Sequence, residues 1–302
     1  MSEKPLVTAV VTTYNRSVDI VNRALTSIVK QTYSNLEIIL VNDSPENREL
    51  AGQLAQLCAS YVRPVQYLAM PQNAGANPAR NYGASRAKGQ FIAFLDDDDE
   101  WFACKVEKQI QAFDHEKVGI VYCNTMIHSE KTHDVTMHYQ KEMPEGNVFA
   151  QLFGSNIIGS TSFPMIRKKA FDEVGGFNEK MPALQDMELW LRIAQRYDAK
   201  YIAEPLGAYY FYAGERISSH PERRTNGYEQ IYRQHEAYLE KNPKVLAAFD
   251  ILGVTIYINA RDFKTAWFHL SRAIKLAPGS IKRNGYTFIK FCIRIFIKAN
   301  IV

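Results

Sequence analysis

Apolar and polar positions along the first hundred residues follow two alternating periods. Four short apolar runs, LVTAVVT (Leu6–Thr12), LEIILV (Leu36–Val41), VQYLAM (Val65–Met70) and QFIAFL (Gln90–Leu95), have the length and composition of buried strands. Between them lie stretches of helical spacing. The first runs from Val18 to Lys30. The second is ENRELAGQLAQLCAS, with Ser44 placed to cap it ahead of Pro45. The third is NPARNYGASRAKG, entered through Asn77-Pro78 and closed by Gly89. Strands alternating with helices at this interval predict an α/β fold with a parallel, doubly wound sheet, which binds ligands at the carboxyl ends of its strands.

Polar residues gather at those ends. Thr13-Tyr14-Asn15-Arg16 follows the first strand and Asn42-Asp43-Ser44 the second. Gln72-Asn73-Ala74-Gly75 follows the third, and Asp96 to Asp99 the fourth. From about Val118 the pattern is less regular, with strands expected at GIVYCN, FPMIRK and AKYIAE among short helices. Past His220 it turns to long helical segments. Within these, GVTIYINARDFKTAWFHLSRAIKLAP is similar to one tetratricopeptide unit, with Ala266, Leu270, Ala273 and Pro278 at suitable spacing. No second copy follows, so an appendage is expected rather than an array. The expected division is residues 1–217, with halves 1–100 and 101–217, and a helical region 218–302.

Composition narrows the classes. The chain has 302 residues and a net charge of +4, too mild to argue for nucleic acid. Cys58, Cys104, Cys123 and Cys292 form no CxxC pair. That argues against a zinc knuckle or disulfide framework and for a reducing compartment. The opening MSEKPLVTAVVTTYNR has no charged leader with a long apolar core, so a cytoplasmic location is expected.

The stretch FLDDDDEW raises the chemical question. A capped, solvated turn needs one aspartate, not four that repel one another. A calcium loop would put Asp96, Asp98 and Glu107 at its first, third and twelfth positions, but Trp101 stands where that loop needs glycine. Magnesium or manganese shared with a phosphate needs only one or two carboxylates. On an extended segment Asp96 and Asp98 point to one side and would converge on the ion, leaving Asp99 to cap the next helix or hold a water. Neither GxxxxGK[ST] nor GxGxxG follows the first strand, against a P-loop NTPase or a dinucleotide enzyme.

Taken together, VTTYNR, VNDS, NAGANPARN, FLDDDDEW, and GGFNE followed by LQDMELWLR resemble the inverting nucleotide-sugar glycosyltransferases of the GT-A fold. They are similar to family 2, which includes many bacterial polysaccharide and cell-wall enzymes. Two departures stand out: no proline precedes the threonine of VTTYNR, and Gln185 stands where glutamate is common. The resemblance implies a mixed, mostly parallel sheet with helices on both faces, and single displacement from a UDP- or dTDP-sugar to a glycan, glycolipid or protein-linked acceptor. Asp96 and Asp98 would hold Mn2+ or Mg2+. Thr13, Tyr14, Asn15, Arg16, Asp43, Asn73, Gly75, Arg80 and Asp97 would bind the donor. Asp43 would accept from the base imide, Tyr14 would stack on the base, and Arg80 would face the diphosphate. Asp186 would be the general base.

Each role has a plainer reading. Asp43 is also a turn residue, Arg80 and Asn81 an exposed helix face, and Asp186 a first-turn acid on the helix dipole. Glu188 competes for the base role, Trp101 and Trp190 pack or line the sugar pocket, and His220 is left outside the site. Two other classes stand beside this one: a catalytically inactive nucleotide-sugar-binding scaffold acting through its C-terminal helices, and a nucleotidyltransferase. The latter needs a Gly-rich basic loop that VTTYNRSVDI lacks. After Asp262 no acid occurs, and in GYTFIKFCIRIFIKANIV the cations Lys290, Arg294 and Lys298 recur every four residues between Phe288, Phe291, Ile295 and Ile297. Two readings stand side by side: a basic amphipathic helix on an anionic membrane surface, at the cytoplasmic face, and a terminal helix packed on the preceding pair with its lysines in solvent. The same helices are where self-association would build.

Overall fold

The computed structural model describes residues 4–129, 135–138, 140–211 and 220–278. Four parallel strands, β1 (Val7–Thr13), β2 (Leu36–Asn42), β3 (Val65–Ala69) and β4 (Phe91–Asp96), lie in the order β3-β2-β1-β4. Three helices make the crossovers: α1 (Val18–Val29), α2 (Arg48–Ser60) and α3 (Ala76–Ala84). Val7, Ala9 and Val11 pack with Val21, Leu25 and Ile28 of α1 and Leu50 and Leu54 of α2 on one face. On the other face Gly83 of α3 lies on Val10, where an added Cβ would stand 2.6 Å from its Cγ1. Helices therefore cover both faces, and the runs were continuous rather than alternating because neither face meets water.

The later strands are β5 (Glu100–Trp101), β6 (Val118–Ser129), β7 (Val135–His138), β8 (Met165–Arg167) and β9 (Asp198–Phe211). They extend the same sheet beyond β4 in the order β8-β6-β9-β5, with β7 on β6. β8 is antiparallel to β4 and β6, whereas β6 and β9 run parallel. Helix α4 (Lys105–Gln111) follows β5, α5 is Phe149–Gly154, α6 is Lys168–Glu173 and α7 is Gln185–Ala194.

Several local expectations are corrected. Asn47, not Ser44, caps α2, accepting the Leu50 amide at 3.2 Å. Ser44 is instead buried, bonded to Asn42 Oδ1. Helix α3 ends at Ala84, and Gly89 already lies against β1, its amide bonded to Thr8 Oγ1. Asp99 caps no helix, because β5 follows it and α4 begins at Lys105.

The chain groups into two compact units that do not follow a single cut at residue 217. One comprises Met1–Val148, Ile158–Glu179 and Arg192–Ala213, and contains the sheet. The other comprises Phe149–Ile157, Lys180–Leu191 and Gly214–Val302. Two internal segments thus join the C-terminal helices, because α5 supplies aromatic side chains to their core. Phe153 packs on Phe249 and His235. Helices α8 (Pro221–Lys241), α9 (Pro243–Asn259) and α10 (Phe263–Leu276) follow, and Ala266, Leu270 and Ala273 are buried. Asp250, fully buried on α9, accepts from Arg272 Nη2 at 2.6 Å and Nε at 2.7 Å and pairs with His269 Nδ1 at 2.7 Å, which fixes the register of α9 on α10. The basic tail lies outside the described residues. Among the described residues no helix is long and apolar enough to cross a membrane.

Lys105 is enclosed in the first unit. Its Nζ bonds Gln109 Oε1 at 2.7 Å and sits 4.1 Å from the centre of the Trp101 ring. Burial lowers its pKa to about 7. Above that pH the folded chain has released a proton that the unfolded chain still holds, so stability rises with pH. From about pH 9 the buried Cys58 and Cys123 thiols, pushed up to about 11, act in the opposite sense. Urea unfolding of the wild type should therefore show ~1–2 kcal/mol of added stability between pH 7 and about pH 8.5, and Lys105→Met should flatten that rise. Equal slopes for the two proteins would show that the ammonium is hydrated.

Candidate active site

The four aspartates divide into two kinds. The chain turns at Asp97-Asp98, with the Asp99 amide bonded to the Asp96 carbonyl at 3.1 Å, so the segment is a turn and not the extended strand that was expected. The alternation survives the turn. Asp97 and Asp99 are buried, whereas the Asp96 and Asp98 side chains keep 31% and 23% of their surface exposed. Asp99 accepts from Ser162 Oγ and the Tyr210 amide. Burial, with Asp96 and Asp98 nearby, holds its carboxyl well above the usual range. Asp97 accepts from Thr13 Oγ1 at 2.7 Å and Arg16 Nε at 3.1 Å, and burial raises it to about 6 against those two partners. The buried pair anchors the turn, and the outer pair faces solvent.

Arginines meet the outer pair. Arg80 Nη2 lies 2.6 Å from Asp96 Oδ1, and Arg16 Nη2 lies 3.1 Å from Asp98 Oδ2. Arg80 is buried, contrary to the exposed helix face weighed for it, and its charge is directed at Asp96. Its Nε is buried with no acceptor among the described residues. An unbonded cationic donor beside partly exposed carboxylates suits an anionic oxygen and its counter-ion. Among the described residues no three or more His, Cys, Asp or Glu side chains are grouped to cage a metal. An ion that takes its remaining ligands from phosphate and water needs only one or two carboxylates, so Asp96 and Asp98 fit that role.

Asp43 has work inside the chain. It accepts the Ala74 amide at 2.9 Å, the Gly75 amide at 2.8 Å and Asn73 Nδ2 at 3.2 Å, while burial raises its carboxyl. Three of a carboxylate's roughly four acceptor positions are thus used to hold the β3–α3 loop. The Asp43 amide in turn bonds the Thr13 carbonyl at 2.8 Å, linking this loop cluster to the aspartate cluster. At the rim Asn15 adopts a left-handed φ of 46° and bonds Ser44 and Asn47. That leaves Tyr14 with 56% of its surface exposed.

Asn77 and Asn81, one turn apart on α3, hold GGFNE. Asn77 Nδ2 donates to the Asn178 carbonyl, and Asn81 bonds the Phe177 carbonyl and amide and Glu179. Gly175 and Gly176 both have φ above 70°, and a Cβ on Gly176 would stand 2.7 Å from Asn81 Oδ1. Gly175 is needed for its backbone conformation, and Gly176 for both backbone and space. Asp186 belongs to the second unit. It is the second residue of α7, entered through Leu184 at φ 58°, and it accepts Asn156 Nδ2 at 2.9 Å and the Met187 amide at 2.8 Å. Glu188 is buried, as are Trp101 and Trp190, which are packing residues; the Trp101 indole donates to the Ser162 carbonyl.

Sequence reasoning missed Arg23, Ser162 and Asn156. Arg23 donates to the Asp98 carbonyl at 2.7 Å and lies 4.0 Å over the Tyr210 ring. Its polar position on an amphipathic helix was the one available signal. Ser162 and Asn156 carried none.

A mostly parallel sheet interrupted by the antiparallel strand β8, with a carboxylate turn where β4 ends, defines a GT-A glycosyltransferase fold. The chain belongs to glycosyl transferase family 2, whose model matches residues 8–175, more than half of it. The structure of S. aureus TarS 1–349 in complex with UDP-GlcNAc has the same fold, with a TM-score of 0.61 at 16% identity, over 95% of this chain and 79% of that one. The putative colanic acid biosynthesis glycosyl transferase WcaA of Escherichia coli K12 is 27% identical over 94% of this chain and 99% of its own. The Escherichia coli UDP-Glc:alpha-D-GlcNAc-diphosphoundecaprenol beta-1,3-glucosyltransferase WfaP is 32% identical, over 63% of this chain and 71% of its own. The chain spans 31% to 62% of the length of the first curated relatives it matches.

Proposed function

We propose that the protein transfers a sugar from a UDP- or dTDP-sugar to a hydroxyl of a glycan or lipid-linked acceptor, inverting the anomeric centre in one displacement. The observation that carries this reading is the division of the aspartates, two buried as anchors and two partly exposed at the end of β4. Asp96 and Asp98 would hold Mn2+ or Mg2+, which supplies countercharge for the departing diphosphate. Arg16 and Arg80 exchange their carboxylate partners for phosphate oxygens as the donor arrives. Tyr14 offers an exposed ring to the base, and Asp43 offers its remaining acceptor position to the imide, while Asn73 and Gly75 shape the loop beneath. Asp186, oriented by Asn156 and the Met187 amide, takes the acceptor proton as its oxygen attacks, so no covalent intermediate is needed. A lipid-linked acceptor of the kind named for WfaP would bring the enzyme to the cytoplasmic face of a membrane, with residues 279–302 as its basic contact.

A panel of nucleotide sugars, each with manganese, magnesium or chelator, tests this through thermal stabilisation and hydrolysis. One UDP- or dTDP-sugar should stabilise and turn over only with the metal. Metal-dependent stabilisation with neither hydrolysis nor transfer to any lipid-linked or glycan acceptor tried would favour the scaffold reading. Turnover in excess chelator would remove the metal.

A further inference from the structure

Helix α10 presents two opposed faces. Ala266, His269, Leu270 and Ala273 are buried in the second unit. Lys264, Phe268, Ser271 and Lys275 recur at i, i+4, i+7 and i+11 along a different stripe, with Trp267 beside Phe268. Trp267 and Phe268 are each 53% exposed, and both lysines are exposed. The guanidinium of Arg272 lies 5.0 Å from the Phe268 ring, but its charge is taken by the buried Asp250, so the cations of this face are Lys264 and Lys275. Asp262 is the helix cap, occupied by the Thr265 amide and hydroxyl. No acidic residue follows it in the chain.

We infer that this face of α10 is a docking surface for an anionic lipid bilayer, with Trp267 and Phe268 entering the headgroup region and Lys264 and Lys275 against lipid phosphates. The stripe lies on a single helix. Paired exposed aromatics flanked by cations are the side chains that partition to a membrane–water interface. The surface is independent of the donor chemistry. A protein that binds vesicles but transfers nothing would sink the proposed function and leave this inference standing.

Intrinsic fluorescence reads the contact, because the chain has three tryptophans and Trp101 and Trp190 are buried. Full-length protein is titrated with phosphatidylglycerol-containing vesicles and with phosphatidylcholine vesicles, at low and high salt. The emission of Trp267 should shift to the blue on the anionic vesicles at low salt and return with salt. Trp267→Ala should remove the shift. Neutralising two near-surface cations in Lys264→Gln/Lys275→Gln, which retains the reporter, should weaken partition by about 30-fold, with circular dichroism and melting unchanged. Neutralising Lys290, Arg294 and Lys298 separately tests the tail, and the shift of whatever protein remains bound should persist. Sedimentation with vesicles while Trp267 emission stays unmoved would assign binding to the tail alone and overturn the inference. So would absence of vesicle binding, or a concentration-dependent shift without lipid and a doubled mass in solution, which would make the face a contact between copies of this chain.

Discussion

Asp98→Asn should lose transfer by about 10³-fold, the cost of several kcal/mol of charge stabilisation on a departing diphosphate. It should do so while melting within a degree or two of the wild type. The change is isosteric, and the ion pair it removes, to Arg16, joins side chains 23% and 37% exposed, where such pairs contribute about 0–1 kcal/mol. Asp99→Ala is the counterpart. It strips the partner from Ser162 Oγ and the Tyr210 amide inside the fold, so it should cost ~2–4 kcal/mol of stability. Manganese titration of donor-dependent hydrolysis, beside thermal melts, separates the two effects. Normal turnover by the Asp98 variant would move the ion elsewhere, and an Asp98 variant that melts as badly as Asp99→Ala would make the whole turn structural.

Asp186→Asn should leave nucleotide-sugar binding intact and lower transfer by about 10²–10⁴-fold, the range for removal of a general base. The amide oxygen can still accept from the Met187 amide, and the Asn156 side chain, flipped, can accept from the new NH2 group, so α7 should keep its start. Glu188→Gln is the informative comparison. Glu188 is buried on α7, so its replacement should register in stability before it registers in the chemical step. Equal donor affinity measured by titration, with transfer lost only in the Asp186 variant, is the expected pattern. Full transfer by Asp186→Asn would end the base assignment.

Much of the fold could be read before any coordinates. The four apolar runs became β1 to β4 within a residue or two because strand and helix periods are local properties of the chain. Doubly wound topology then brings the carboxyl ends of parallel strands to one edge, so Thr13, Asp43, Asn73 and Asp96 could be placed together without a contact map. The helix ends were less legible. Ser44 and Asn47 are both good caps, and Ser44 was diverted to Asn42 by burial in its loop, which composition does not reveal.

From the sequence alone came the strand–helix order, the carboxylates at the end of β4 and the family motifs in their order, since each depends on residue type at short range. Tertiary structure alone decided what those residues do for one another. Asp99 is satisfied by Ser162 and Tyr210, 63 and 111 residues away in the chain, and Asp97 by Thr13 and Arg16, more than 80 away. Those long-range partners take Asp97 and Asp99 into the fold and leave Asp96 and Asp98 at the surface. They exist because desolvating a carboxylate is costly unless the fold brings donors to it, and no local pattern records which distant segment will bring them.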